Sequence, residues 1–127
     1  MQTQGEARAT VLSVDDSASF RRLVSAALTR AGYRAIEAAD GAEALAVAQS
    51  QHVDLVLTDY NMPRMNGIEL VQALRALPAH RSTPILLLST ESDEAVKLSG
   101  KAAGASGWLS KPFDPQALMA TLERVIR

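Results

Sequence analysis

Short apolar runs alternate along this chain with longer segments in which apolar residues recur at helical spacing. The short runs predict strands and the longer segments predict helices. The predicted strands are Thr10–Val14, Arg34–Ala38, Val53–Thr58, Ile85–Ser89 and Gly107–Ser110. A helical segment follows each of them. This regular alternation predicts an α/β fold, a doubly wound sheet of five parallel strands with five helices covering its two faces.

Capping residues mark where the helices begin and end. Asp40, Asn66 and Asp114 are suited to be N-caps, and Gly32 is suited to follow the end of the first helix. The fourth helix, from about residue 93 to 103, is the weakest because its apolar face is thin and contains Gly100. The last helix is expected to bury five apolar residues: Leu118, Met119, Leu122, Val125 and Ile126.

Length and composition narrow the class of protein. With 127 residues the chain is expected to form one domain over residues 10–127, preceded by a flexible tail of residues 1–9. The net charge of −1 gives no field that would favour nucleic acid or a membrane surface. No cysteine is present, which excludes disulfides and thiolate metal sites. No signal sequence or membrane span is evident, so we expect a cytoplasmic monomer.

Polar residues stand where the predicted strands end. Asp15 and Asp16 follow the first strand, and Asp59 follows the third. Ser89 ends the fourth strand and Lys111 follows the fifth. Open α/β sheets bind their ligands at the carboxyl ends of the strands. These side chains are therefore expected to meet in one crevice.

The three carboxylates indicate a metal site more clearly together than singly. Asp15 and Asp16 alone would suit a helix N-terminus, and Asp59 alone would suit a turn. As a group they repel one another unless a cation offsets their charge. Hard oxygen ligands without histidine or cysteine indicate Mg²⁺, with Mn²⁺ as a second possibility.

Two further residues would complete a phosphoryl-transfer site. Lys111 is either an ordinary surface lysine or a point charge that pairs first with Asp59 and later with a phosphoryl oxygen. Ser89 is either a strand-end hydroxyl or a donor to the same phosphoryl group. An Asp59 oxygen would attack phosphorus and form an acyl phosphate. The chain has no Gly-rich loop for ATP, so its donor should already carry an activated phosphoryl group.

Four motifs in these positions are similar to those of a known family. They are VDDS at residues 14–17, LTDYNMPRMNG at 57–67, LLLSTES at 86–92 and GASGWLSKPF at 104–113. The chain resembles response-regulator receiver domains, above all the stand-alone chemotaxis regulators, over residues 10–127. The resemblance implies the strand order 2-1-3-4-5.

The resemblance also implies roles for the acidic residues. Asp59 matches the phosphoacceptor. Asp16 and Asp59 match direct ligands of Mg²⁺, and Asp15 matches a ligand that acts mainly through water. Asn61 matches the residue that supplies a backbone carbonyl to the metal.

A second group of positions matches the residues that respond to phosphorylation. Ser89 matches the switch hydroxyl, and Lys111 matches the site lysine, whose bond to the following proline is often cis. Trp108 matches an aromatic residue that changes rotamer, although tryptophan is bulkier than the usual tyrosine or phenylalanine. Thr90 replaces a small residue of the family, and Glu91 stands where the family tunes the acyl-phosphate lifetime.

The leading hypothesis is a signalling switch and not an enzyme. A sensor or chemotaxis histidine kinase would phosphorylate Asp59, and the modified protein would bind a flagellar motor switch or another protein target. The predicted partner face contains Lys97, Lys101, Trp108 and Phe113.

Three other functions remain open from the sequence. A phosphorelay intermediate or a phosphate sink would use the same site. A small Mg²⁺-dependent phosphohydrolase would also use it, but no general acid accompanies Asp59, because His52 and His80 are expected at the surface, away from the strand ends. A constitutive adaptor with an unused site is disfavoured by the intact acidic set.

Overall fold

A computed structural model of the chain describes residues 8–90 and 94–126. The strands are β1 (Thr10–Val14), β2 (Arg34–Ala38), β3 (Leu55–Asp59), β4 (Ile85–Ser89) and β5 (Gly107–Ser110). The helices are α1 (Ala18–Arg30), α2 (Gly41–Ser50), α3 (Gly67–Arg75), α4 (Glu94–Ala103) and α5 (Pro115–Ile126), with a 3₁₀ turn at Pro78–His80.

The five strands form one parallel sheet in the order β2-β1-β3-β4-β5, which confirms the predicted fold class. Strands β1, β3 and β4 are buried along their whole length. Residues of α2 and α3 pack with one face of the sheet, and residues of α1 and α5 pack with the other. In β4, Leu87 joins the first of these cores while Leu86 and Leu88 join the second. This explains why nearly every residue of that strand is aliphatic.

The third strand was predicted at the wrong position. It spans Leu55–Asp59 instead of Val53–Thr58, so Asp59 is its last residue and does not follow it. Asp54 lies outside the strand because its carboxylate accepts a hydrogen bond from the backbone N–H of Thr10 at 2.8 Å. The shift places Asp59 in the backbone ladder with β4, where its pairing with Leu88 restricts its movement.

The predicted N-caps of α2 and α3 are confirmed. The carboxylate of Asp40 accepts a hydrogen bond from the backbone N–H of Glu43. Asn66 and Glu69 cap each other reciprocally at the start of α3. After α1, Gly32 has a φ of +96°, a backbone conformation that favours glycine.

The two last helices are attached differently to the core. In α5, Leu118 and Leu122 are fully buried, whereas Met119, Val125 and Ile126 are only partly buried because they flank that contact stripe. In α4, Gly100 is the only buried residue among those described, and Leu98 is 63% exposed. The expectation of a thin apolar face on α4 is therefore confirmed; its expected start at residue 93 lies outside the described residues.

The predicted tail, residues 1–9, falls mostly outside the described part of the chain. Within the described part, the backbone N–H of Arg8 donates to Gly32, and the carbonyl of Ala9 accepts from Arg34. Among the described helices, none combines the length and the apolar character required to cross a bilayer.

Candidate functional site

Three carboxylates meet at the carboxyl end of the sheet. Asp15 follows β1 and Asp59 ends β3, and only 2% and 5% of their surfaces are exposed. Asp16 is exposed beside them. Each of the three offers a carboxylate oxygen within 4.8 Å of the other two. The adjacency of β1 and β3 in the sheet thus brings together residues that are 44 positions apart.

Lys111 joins the two buried carboxylates. Its Nζ donates to Asp15 Oδ2 at 3.0 Å and to Asp59 Oδ1 at 3.1 Å. Its backbone N–H donates to the carbonyl of Ser89 at 3.0 Å, which extends the pairing of β4 and β5 by one residue. The Lys111–Pro112 peptide bond is cis, the form that the resemblance implied.

The charges in this crevice are incompletely balanced. Burial raises the pKa of Asp59, the neighbouring charge of Asp15 raises it further, and Lys111 only partly opposes these two effects. Burial alone would lower the pKa of Lys111, but its hydrogen bonds and charge interactions with Asp15 and Asp59 raise it. Asp15 and Asp59 therefore share one ammonium group while the carboxylate of Asp16 lies close by, an arrangement that favours binding of another cation.

Several contacts fix Asp15 in place. One carboxylate oxygen accepts from the backbone N–H of Ser17 at 2.9 Å, and the backbone N–H of Asp15 donates to Ala38 at 3.2 Å. The guanidinium of Arg21 donates to the Asp15 carbonyl at 2.6 Å and to Glu37 at 3.1 Å. Arg21 was not among the predicted site residues. Its position in the sequence, one turn into the helix after the acidic pair, was the only available signal.

The aromatic ring of Phe20 was also missed by the sequence reasoning. Lys111 Nζ lies over this ring, 4.2 Å from its centroid. The ring of Phe113 packs against Phe20 edge to face, with centroids 5.6 Å apart and planes at 87°. Phe113, which was predicted to lie on the partner face, therefore packs against the ring that lies under the ammonium group of Lys111.

The loop after β3 passes close to the end of that strand. Asn61 is exposed in this loop. The backbone N–H of Gly67 donates to the carbonyl of Tyr60 at 2.8 Å. A Cβ atom at Gly67 would lie 2.5 Å from the Asp59 carbonyl oxygen, so only glycine allows α3 to start there. On the other side of Asp59, Ser89 is buried at the end of β4.

Comparison with known proteins identifies the family. The model of the response regulator receiver domain matches residues 11–123. The chain belongs to this family. A curated relative, the chemotaxis protein CheY homolog of Campylobacter jejuni, is 39% identical over 118 residues, which cover 91% of each chain.

Solved structures show the same architecture. The receiver domain superposes on Vibrio cholerae CheY4 with a TM-score of 0.91 and 52% identity, covering 94% of this chain and 99% of that one. It also matches the receiver domain of the sensor histidine kinase PA1611 from Pseudomonas aeruginosa, with a TM-score of 0.87 and 30% identity over 94% and 98% of the two chains. That structure has a magnesium ion coordinated in its active site cleft.

Several of the predicted switch and partner residues of the receiver domain lie apart from the acidic cluster. Lys97, Lys101 and Trp108 line a cavity of about 310 Å³ between α4 and β5. Trp108 is half-buried, and its Nε1 is buried without a hydrogen-bond partner among the described residues. Thr90 is exposed at the end of β4, and Glu91 lies outside the described residues.

The expectation that both histidines lie at the surface was half wrong. His52 is exposed, but His80 is only 5% exposed. The Nε2 of His80 donates to the carbonyl of Ala48 at 3.0 Å, and its Nδ1 lies 2.9 Å from the hydroxyl of Thr83. The 3₁₀ turn carries His80 inward, where both ring nitrogens have partners. Those partners lie at the amino end of the sheet, so His80 belongs to that end and not to the acidic cluster.

Proposed function

We propose that this chain is a response regulator that a histidine kinase phosphorylates on Asp59. The observation that carries the proposal is the position of the Lys111 ammonium group, which bridges Asp59 and Asp15 at the end of the sheet. Asp59 is the central residue of this arrangement because its carboxylate faces both a cation and two further acids. A purely structural ion pair would not need the additional carboxylates.

The acidic set fits a bound Mg²⁺. The carboxylates of Asp15, Asp16 and Asp59 lie within reach of one small ion, and their oxygens are ligands that Mg²⁺ prefers. The backbone carbonyl of Asn61 would complete the protein ligands. When bound, Mg²⁺ would supply positive charge to the oxygens of the transferring phosphoryl group.

Asp59, Lys111 and Ser89 have separate roles in the proposed phosphoryl transfer. One oxygen of Asp59 attacks the donor phosphorus, while the bond from phosphorus to the leaving group breaks and that group takes the electron pair. The product is an acyl phosphate on Asp59. Lys111 then moves from the carboxylate to a phosphoryl oxygen, since its flexible stem carries a compact charge with three donors. The hydroxyl of Ser89 donates to the same phosphoryl group.

The output is proposed to be a protein contact in the cytoplasm. Receiver domains of the CheY type are signalling switches, and two of the relatives named above, those from Campylobacter jejuni and Vibrio cholerae, are described as chemotaxis proteins. The proposed target is therefore a flagellar motor switch or another protein. The chain is proposed to bind it as a monomer, and neither nucleic acid nor a membrane is a proposed partner. Helix α4 is suited to respond because its apolar attachment is thin.

Labelling with a small phosphodonor tests the proposal. With Mg²⁺ and acetyl phosphate, the wild-type protein should gain one phosphoryl group that is stable in acid and labile in base. Asp59→Asn should gain none, because the amide is not a nucleophile. Intact-protein mass measures the label, and chelation of Mg²⁺ should abolish it.

Asp54→Asn provides a control, since Asp54 is an acidic residue outside the acidic trio whose carboxylate accepts from Thr10 at the opposite end of the sheet. It should be labelled like wild type. Equal labelling of Asp59→Asn would refute the proposal. Continued release of product from phosphate esters at substoichiometric protein would favour the hydrolase instead.

A further inference from the structure

The ammonium group of Lys111 has a third neighbour besides the two carboxylates. Phe20 presents its ring face at 4.2 Å, a distance at which a cation is attracted by the ring quadrupole. The side chain of Lys111 is 17% exposed, so little water competes for the ammonium group. Three groups, from the residue after β1, from the end of β3 and from α1, therefore surround this one cation.

The three contacts are not equivalent during phosphoryl transfer. Asp59 is the nucleophile in the proposed reaction. Its hydrogen bond to Lys111 therefore changes when a carboxylate oxygen of Asp59 bonds to phosphorus. Asp15 belongs to the proposed metal site and would share its charge with a bound Mg²⁺. Phe20 reacts with nothing, and its contact with the ammonium group can persist through the whole step.

The ring of Phe20 is itself held. Phe113 lies two residues after Lys111 and packs edge to face on Phe20, an arrangement that aromatic pairs prefer. The chain contains only two phenylalanines, and both are at this point. The segment that supplies the lysine thus also supplies the residue that orients its aromatic neighbour.

We propose that Phe20 is a positioning residue for Lys111, and that it keeps the ammonium group aimed at the phosphoryl position while Phe113 fixes the ring of Phe20. This inference rests on the proposed phosphorylation of Asp59. Phe20 contacts neither donor nor metal; it acts through the lysine. Its loss should slow phosphoryl transfer and leave Mg²⁺ affinity unchanged.

Graded fluorination of Phe20 tests the proposal with almost no change of shape. Mono-, di- and trifluorinated phenylalanine at position 20 weaken the attraction of the ring face for a cation in steps. The rate constant of labelling by acetyl phosphate should fall in the same steps, by about fivefold for the trifluorinated ring. Phe20→Leu should lose about tenfold, which corresponds to about 1.4 kcal/mol and lies within the range of a desolvated cation–π contact.

The same series at Phe113 is the matched control. Phe113 contacts the ring of Phe20, whereas Phe20 is the aromatic residue in the described part of the chain whose ring lies under the ammonium group, so the slope for Phe113 should be clearly smaller. Mn²⁺ affinity, measured by electron paramagnetic resonance, should be unchanged throughout. Equal slopes at the two positions, a flat slope at position 20, or a parallel loss of Mn²⁺ affinity would each overturn the assignment.

A second measurement separates this inference from the proposed function. The ring current of Phe20 should shift the side-chain methylene resonances of Lys111 upfield, and Phe20→Leu should remove that shift. If the wild type is not labelled on Asp59, the proposed function fails whatever the resonances show. If labelling succeeds but the resonances do not respond to Phe20→Leu, the positioning role alone is wrong.

Discussion

The two ends of the sheet bury polar groups in opposite ways. At the carboxyl end, Asp15 and Asp59 share a single ammonium group, and like charges lie close together. At the amino end, the guanidinium of Arg75 donates to three backbone carbonyls, those of His80, Thr83 and Gly104, at 2.6 to 3.1 Å. Polar burial stabilises the fold at one end and costs stability at the other.

The amino end is built from complementary pairs. Arg75, at the last turn of α3, ties the loop before β4 to the turn before β5. His80 uses both ring nitrogens, and Asp54 accepts from the first residue of β1. Since these groups have partners within the fold, they need no ligand. The uncompensated carboxylates of the other end therefore mark the functional site better than burial alone does.

The largest expected effect lies at the amino end. Arg75→Met should lower the free energy of unfolding by about 3 kcal/mol, because it leaves three carbonyls without their donors. Urea denaturation followed by circular dichroism measures the change. Arg75→Lys should recover only part of it, since an ammonium group cannot reach all three carbonyls in the same plane.

Arg81 is the matched control, because it is an exposed arginine in the loop between α3 and β4 that Arg75 holds. Arg81→Met should change stability by no more than about 0.5 kcal/mol. If Arg75→Met loses as little unfolding free energy as Arg81→Met, the buried polar contacts at the amino end do not stabilise the fold.

A change of the opposite sign is expected at the carboxyl end. With divalent ions chelated, Asp59→Asn should raise the free energy of unfolding at neutral pH by about 1 kcal/mol, because it removes a buried charge beside Asp15. Mg²⁺ should stabilise the wild type and not the variant, since ligand that binds only the folded state adds stability. Thermal denaturation with and without Mg²⁺ checks both statements.

The pH dependence follows from the raised pKa of Asp59. The folded state favours the protonated carboxyl of Asp59. The stability that this protonated form contributes is complete below the unfolded pKa of about 3.9, and it is lost as pH rises through the folded pKa. The advantage of Asp59→Asn should therefore be small near pH 4 and reach its full size near neutrality. An advantage that is independent of pH would indicate a cause other than charge.

The sequence predicted the carboxyl end better than the amino end for a physical reason. A parallel sheet brings the residues at its strand ends together, so Asp15, Asp59 and Lys111 could be grouped without knowing any side-chain direction. Phe20 and Arg21 could not be grouped with them, because their contacts depend on how α1 is rotated after its Ser17 cap.

The contacts at the amino end of the sheet are even harder to predict from the sequence. Arg75 and His80 bind mainly backbone carbonyls, which every residue possesses, so no partner residue type reveals the pairing. The start of β3 was misplaced for a similar reason: Asp54 uses its side chain to bond with Thr10, and apolar alternation cannot show this.

The smallest expected effect tests one complementary pair of the amino end. Hydrogen bonding to the Thr10 N–H lowers the pKa of Asp54; burial opposes this, and His52 at 2.7 Å adds to it. The stability that Asp54 contributes should be present above its unfolded pKa of about 3.9 and be lost as pH falls through the folded pKa.

Asp54→Asn keeps an acceptor oxygen for Thr10 but removes the charge, so it should cost only about 0.5 kcal/mol at neutral pH. The cost should vanish on acidification, as the gain from Asp59→Asn does, but the two substitutions change stability in opposite directions at neutral pH. His52→Ala should retain most of the pH dependence, because His52 is the minor and exposed partner. Urea denaturation at several pH values measures all three proteins, and a cost for Asp54→Asn that persists in acid would contradict the assigned role of its charge.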